Sequence, residues 1–179
     1  MRLRHSKTLL TGKPGVGKTS LIRQVVARLS TTPMTGFYTS EIRSGGYRSG
    51  FELRGLNGDR RSLAHVGLES RHRVGKYGVD TAGFELFLEN LDLMNPEAKL
   101  VVIDEIGKME FFSNRFRTLL HKVLESDRCV LASIALPGGR RIQEIKQRPD
   151  IHLLEVTLRN RGTLLTTILD CKKPSIRDD

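Results

Sequence analysis

The chain has 179 residues, 38% of them apolar and 28% charged, enough to bury one real core, so a single globular domain over residues 1–171 is expected, with a polar tail at 172–179. No run approaches the eighteen or so consecutive apolar residues of a membrane span, and the apolar stretch near Met1 is too short for a secretory signal, so no membrane attachment and a cytoplasmic location are expected. Thirty Lys and Arg against twenty Asp and Glu give a formal charge of +10, which favours anionic partners without choosing among nucleotide, nucleic acid and acidic membrane.

In chain order, Lys7 to Thr11 reads as a short buried strand, and a glycine-rich stretch leads from it into a helix over Lys18 to Leu29, with Leu21, Ile22, Val25, Val26 and Leu29 at helical spacing. From Thr35 to Val66 the chain turns strand-like, punctuated by "RSGG" and "NGDR", which predicts hairpins with Gly45-Gly46 and Asn57-Gly58 at their tips. Thr81 to Met94 is an amphipathic helix with Thr81 as the expected N-cap. "KLVVIDE", Lys99 to Glu105, is a continuous apolar strand ending in two carboxylates, as suits a sheet covered on both faces.

Ser113 is placed to cap a helix to about Leu124. Cys129 to Leu136 is another buried strand, "GGRRIQEIKQR" a short helix, Ile151 to Val156 a last strand and Asn160 to Cys171 a last helix. Strands alternating with helices imply parallel crossovers, hence an α/β sandwich with a hairpin insertion after the first helix. Cys129 and Cys171 form no redox or metal pair, and the five histidines show no ligand spacing, so no zinc site is expected.

The stretch Gly12-Lys13-Pro14-Gly15-Val16-Gly17-Lys18-Thr19 fits the P-loop (Walker A) pattern G-x-x-x-x-G-K-[ST], with a strand before it and a helix after it. Glycines let the backbone wrap an anion with its N–H groups pointing inward, where side chains would block the approach. The candidate nucleotide-binding residues are therefore Gly12, Lys13, Pro14, Gly15, Val16, Gly17, Lys18, Thr19 and Ser20. Lys18 would reach the β- and γ-phosphates, and the Thr19 hydroxyl would face Mg²⁺.

A phosphate cradle needs a carboxylate on the metal side, and "LVVIDE" supplies a Walker B strand. Asp104 emerges at the carboxyl end of that strand, where open α/β sheets bind ligands, and is the expected partner of Thr19 at the metal. Glu105 is the candidate to orient and polarise the attacking water. Lys108 is the first choice for offsetting charge on the γ-phosphoryl, with Arg161 and the Arg140-Arg141 pair as alternatives. Some eighty residues separate the two motifs, which fits the P-loop branch with an additional strand between the motif-bearing strands.

These residues also carry a resemblance. "TGKPGVGKTSLI", "GFYTSEIR", "GFEL", "RVGKYGVD", "VVIDEIGKMEFFSNRF" and Asn160-Arg161 resemble, in the same order from about residue 7 to 170, the nucleoside-triphosphatase family typified by the small thermophile NTPase and the vertebrate cancer-related nucleoside-triphosphatase. "DEIGKMEFFS" is the most specific piece. The resemblance implies slow, unselective, Mg²⁺-dependent hydrolysis of ATP, GTP, CTP and UTP to NDP and phosphate, on a three-layer, RecA-like, mainly parallel P-loop sandwich. This chain departs from the family pattern in three places: Ser40 stands where members commonly have an acid, Ser133-Ile134-Ala135 replaces "TIP", and Arg159-Asn160-Arg161 replaces "ENR".

Of the other recurring residues, Phe37 reads as core, whereas Tyr38 or Tyr77 could stack on a base and Lys76 could meet a phosphate. Two other functions remain open at this point. A kinase would pass the γ-phosphoryl to a nucleoside, nucleotide or polynucleotide hydroxyl and would need a second pocket. An RNA-binding NTP switch would use the +10 charge, although no aromatic-rich RNA-binding motif is present.

Overall fold

The computed structural model describes residues 7–172; the first six residues and the expected polar tail beyond 172 lie outside the described residues. The elements run β1 (Lys7–Thr11), α1 (Lys18–Arg28), β2 (Met34–Ser44), β3 (Tyr47–Gly55), β4 (Arg60–His65), β5 (Arg73–Val74), β6 (Tyr77–Val79), α2 (Thr81–Leu91), β7 (Leu100–Ile106), α3 (Asn114–Glu125), β8 (Cys129–Ile134), α4 (Arg140–Lys146), β9 (Ile151–Glu155) and α5 (Arg161–Lys172). A 3₁₀ turn at Glu110–Phe112 precedes α3.

The described strands form one sheet of order β5-β6-β4-β3-β2-β7-β8-β1-β9. The half from β2 to β9 is parallel, with Met34 to Phe37 of β2 paired to Leu100 to Ile103 of β7 and Lys7 to Leu10 of β1 paired to Val130 to Ser133 of β8. β8 thus lies between the strand before the glycine loop and the strand ending in Asp104, the additional strand the motif spacing implies.

The β7 residues show why this sheet is covered on both sides. Val101 and Ile103 face one core cluster with Phe84, Leu88, Phe116, Leu120 and Ile142 from α2, α3 and α4. Leu100 and Val102 face the other, with Leu21, Ile22, Val25, Leu164 and Ile168 from α1 and α5. A period-two strand that is apolar at every position from Leu100 to Ile103 can be satisfied only this way. The expected α/β three-layer sandwich is what forms, and Phe37 is fully buried in it, edge-on to Phe84 and Phe87 at 5.9 Å each.

Three sequence expectations are corrected. The insertion is larger than hairpins over 35–66: β2 continues past its parallel pairing to join β3 and β4 antiparallel, and a further short hairpin, β5 and β6, pairs to β4. "RVGKYGV" has too few strand-forming residues per strand to announce that hairpin, and Gly75 at φ +57° makes its turn. The cap of α2 is Asp80, whose carboxylate accepts from the Gly83 N–H at 2.8 Å, and not Thr81, whose hydroxyl is buried without a hydrogen-bond partner. That helix stops at Leu91 rather than Met94 because Asp92 turns left-handed at φ 43°.

Candidate active site

Backbone constraint builds the loop after β1. A β-carbon on Gly12, at φ +146°, would stand 2.5 Å from the Val156 carbonyl oxygen, so only glycine lets the loop pass that close to the end of β9. Gly17 takes φ 104° at the N-cap of α1, and its carbonyl accepts from Leu21 N–H at 2.9 Å. Lys18 lies half-buried and its Nζ donates to the carbonyls of Gly12 at 3.0 Å and Lys13 at 3.3 Å, folding its charge back over the loop.

Across from the loop, β7 delivers Asp104 almost fully buried. Its Oδ2 accepts from Thr19 Oγ1 at 2.6 Å, its Oδ1 accepts from Ser133 Oγ on β8, and its main-chain carbonyl accepts from Thr39 Oγ1 on β2 at 2.5 Å. Burial pushes the Asp104 carboxyl up, while the bonds from Ser133 and Thr19 and the Lys18 charge draw it down. The Asp104–Glu105 peptide bond is cis. Glu105 is half-buried; burial raises its carboxyl too, the Lys18 ammonium lowers it and the Asp104 charge raises it.

The pocket between them has a volume of about 310 Å³ and is lined by the loop, by Asp104 and Glu105, and by Thr39, Ser40, Glu41, Arg48 and Phe51 from the β2–β3 hairpin. The insertion therefore forms one wall. Glu41 ties that wall together, accepting from Arg43 at 2.6 Å and from Arg48 at 2.9 Å, and both guanidiniums hold its carboxyl below the usual range. Ser40, at the position where an acid is common, accepts from Arg23 at 3.2 Å.

Most of the expected residues come together here: Pro14, Gly15, Gly17, Lys18, Thr19, Ser20, Asp104 and Glu105 all line the one pocket. Lys108 does not join them. The chain turns at Gly107, leaving Lys108 exposed and lining a separate cavity with Arg140 and Arg141. Arg161 instead sits at the loop, where a β-carbon on Gly17 would stand 3.6 Å from its Nη1. The turn just before it is tied by Asn160, whose side chain accepts from Thr157 N–H and donates to the Glu155 carbonyl, at 2.8 Å each. Tyr77 is buried, its hydroxyl accepting from Arg48 at 3.0 Å, so it serves the hairpin wall rather than a base, and Lys76 lies over its ring at 5.5 Å. Tyr38 is covered by Arg23, 5.0 Å from its ring.

Ser133, noted in the sequence only as a departure from the family pattern, and Thr39 and Glu110 had no role assigned from sequence. Ser133 and Thr39 bind Asp104 through side-chain hydroxyls on neighbouring strands, a role that no local pattern marks. Glu110 is 4% exposed and flanks Gly107 opposite Glu105: a β-carbon there would stand 3.1 Å from Glu110 Oε2 and 3.5 Å from Glu105 Oε1. Burial, with Glu105 and Asp104 adding like charge, pushes the Glu110 carboxyl up to about 8.

A family model described as NTPase matches residues 7–169. The nucleoside-triphosphatase THEP1 of Thermotoga sp. (strain RQ2) is 40% identical over 168 residues, spanning 93% of this chain and 95% of that protein. The cancer-related nucleoside-triphosphatase of Homo sapiens is 41% identical over 182 residues, spanning 93% of this chain and 96% of its own. In structure, the chain is similar to the crystal structure of THEP1 from the hyperthermophile Aquifex aeolicus, with a TM-score of 0.83, 34% identity, and coverage of 92% of this chain and 97% of that one.

Proposed function

The chain belongs to the NTPase family whose model it matches over residues 7–169, and from that premise we propose how its own residues hydrolyse nucleoside triphosphates. The relatives are named triphosphatases, so water is the acceptor of the γ-phosphoryl and a second hydroxyl-bearing substrate is not needed. The observation that carries the mechanism is the gathering of Lys18, Thr19, Asp104 and Glu105 around one pocket.

The N–H groups of the loop from Gly12 to Thr19 receive the phosphates, and Lys18 exchanges its carbonyl partners for the β- and γ-oxygens. Thr19 Oγ1 and Asp104 Oδ2, 2.6 Å apart at the pocket, form an all-oxygen pair of the kind that holds Mg²⁺ together with substrate phosphates and water. Thr19 and Asp104 would hold Mg²⁺ here, and it would supply positive charge to the phosphates. Ser133 and Thr39 keep Asp104 oriented, since each fixes a different oxygen of that residue.

Glu105 accepts the proton of the attacking water. Its carboxyl is raised by burial and kept from rising further by Lys18, which suits a base that must be ionised yet still take a proton near neutral pH. Arg161, over Gly17, offsets the charge that develops on the transferring phosphoryl, in the place first expected of Lys108. Because these groups collect on the polyphosphate, base selectivity is low and ATP, GTP, CTP and UTP are all substrates.

The test is phosphate release from the four nucleotides with Mg²⁺ or with EDTA. Release from all four within a few-fold of one another, lost in EDTA, is expected. Release from one base alone, or release unchanged by EDTA, would refute low selectivity or the metal site respectively.

A further inference from the structure

We propose that the groove between α3 and α4, which opens at Lys108, is a binding site for single-stranded nucleic acid. Two adjoining cavities of about 630 and 750 Å³ make the groove, and they share Phe111 and Arg141. The first runs between α3 and α4, with Leu120, Leu124 and Ile145 in its floor; the second continues past Ile142 to Pro137, Ala135 and Lys108.

Charge on this groove is one-sided. Six cations line it, Lys108, Arg117, Lys122, Arg140, Arg141 and Arg148, against a single carboxylate, Glu144. Arg140 is paired with Glu144 at 2.7 Å, and Arg148 with Glu125 and Asp150 at 2.6 and 2.9 Å. Lys108, Lys122 and Arg141 are exposed and outside any ion pair among the described residues. With the paired carboxylates Glu144, Glu125 and Asp150 counted against the six cations, an excess of three positive charges lies along one concave strip, which the triphosphatase pocket does not use.

The combination selects the occupant. A polyanion of regular charge releases counterions when it meets several lysines and arginines, and this supplies affinity. A groove floored by Phe111 and aliphatic side chains between those cations also has apolar surface to cover, and base faces cover such surface while the backbone phosphates meet the rim. A duplex keeps its base faces stacked and cannot use the floor. An acidic peptide would meet the cations but leave the floor largely bare.

The experiment is fluorescence anisotropy of the full chain with a labelled oligouridylate and a labelled oligothymidylate of about 20 nucleotides. Binding is expected to weaken roughly 20- to 50-fold between about 50 and 200 mM salt, as about three or four phosphate contacts on a single strand require. The pair Lys122→Glu and Arg141→Glu should lower affinity at least about tenfold and flatten the salt dependence. The matched pair Arg28→Glu and Arg60→Glu, exposed on other elements, should change it less than about twofold.

Should the first pair fail to fold, as read by its thermal melt, Lys122→Ala with Arg141→Ala carries the same expectation at smaller amplitude. Absence of binding at low salt would overturn the proposal. So would equal weakening by the control pair, which would mean diffuse attraction to the net charge, or competition by duplex DNA or polyglutamate as potent as that of the single strand.

Discussion

Thr19 Oγ1 donates to Asp104 Oδ2 at 2.6 Å across 85 residues of sequence, joining the end of the glycine loop to the carboxyl end of β7. This bond closes the proposed triphosphatase site, and the first expectations concern what surrounds it.

Glu105→Gln should retain nucleotide binding and lose most hydrolysis, by about 10²- to 10⁴-fold, because the amide keeps the shape but cannot take the proton. Titration with a non-hydrolysable analogue beside a phosphate-release assay separates the two. A variant that turns over at the wild-type rate would remove Glu105 from the mechanism.

Arg161 and Lys108 make a discriminating pair. Arg161→Ala should lower kcat by about 10²-fold, whereas Lys108→Ala should leave it within a few-fold, because only Arg161 stands at the loop. The reverse pattern would restore Lys108 to the role first expected of it.

Ser133→Ala leaves the buried Asp104 Oδ1 without its donor, at a cost of about 1–3 kcal/mol in stability. Losing a hydrogen bond to the charged form also raises the carboxyl further, so the acid limb of the pH–rate profile should move to higher pH. Ser133→Thr keeps the hydroxyl and should restore both. Denaturant titration and a pH–rate profile check the two effects, and an unmoved acid limb would show that Asp104 does not set it.

Glu110 gives the molecule a pH-dependent stability. Its carboxyl is pushed up to about 8 from 4.5, so between those values the native state keeps a proton that the unfolded chain has released. The contribution is fully present below about 4.5, falls by about 1.4 kcal/mol per pH unit as pH rises, and is gone above about 8. Glu110→Gln should therefore flatten the decline and be more stable than the parent at about pH 9. Urea denaturation at several pH values measures this; a wild-type slope in the variant would place the titration elsewhere.

How much of this was legible beforehand depends on the range over which each feature is encoded. The loop could be read because its requirements are local: Gly12, Gly15 and Gly17 take positive φ, and Lys18 and Thr19 follow at fixed positions on the first turn of α1. The apolar run from Leu100 to Ile103 likewise announced a strand buried on both faces and put Asp104 and Glu105 at its carboxyl end.

The partners of those residues were set by strand order and by the turns between elements. With β8 inserted between β1 and β7, Ser133 comes within hydrogen-bond reach of Asp104; β2 on the other side of β7 brings Thr39. The turn at Gly107 sends Lys108 to the α3–α4 groove and leaves Glu110 buried behind Glu105, while the close of β9 brings Arg161 over Gly17. A side chain's direction after such a turn depends on contacts with segments tens of residues away, which residue spacing along the chain does not encode.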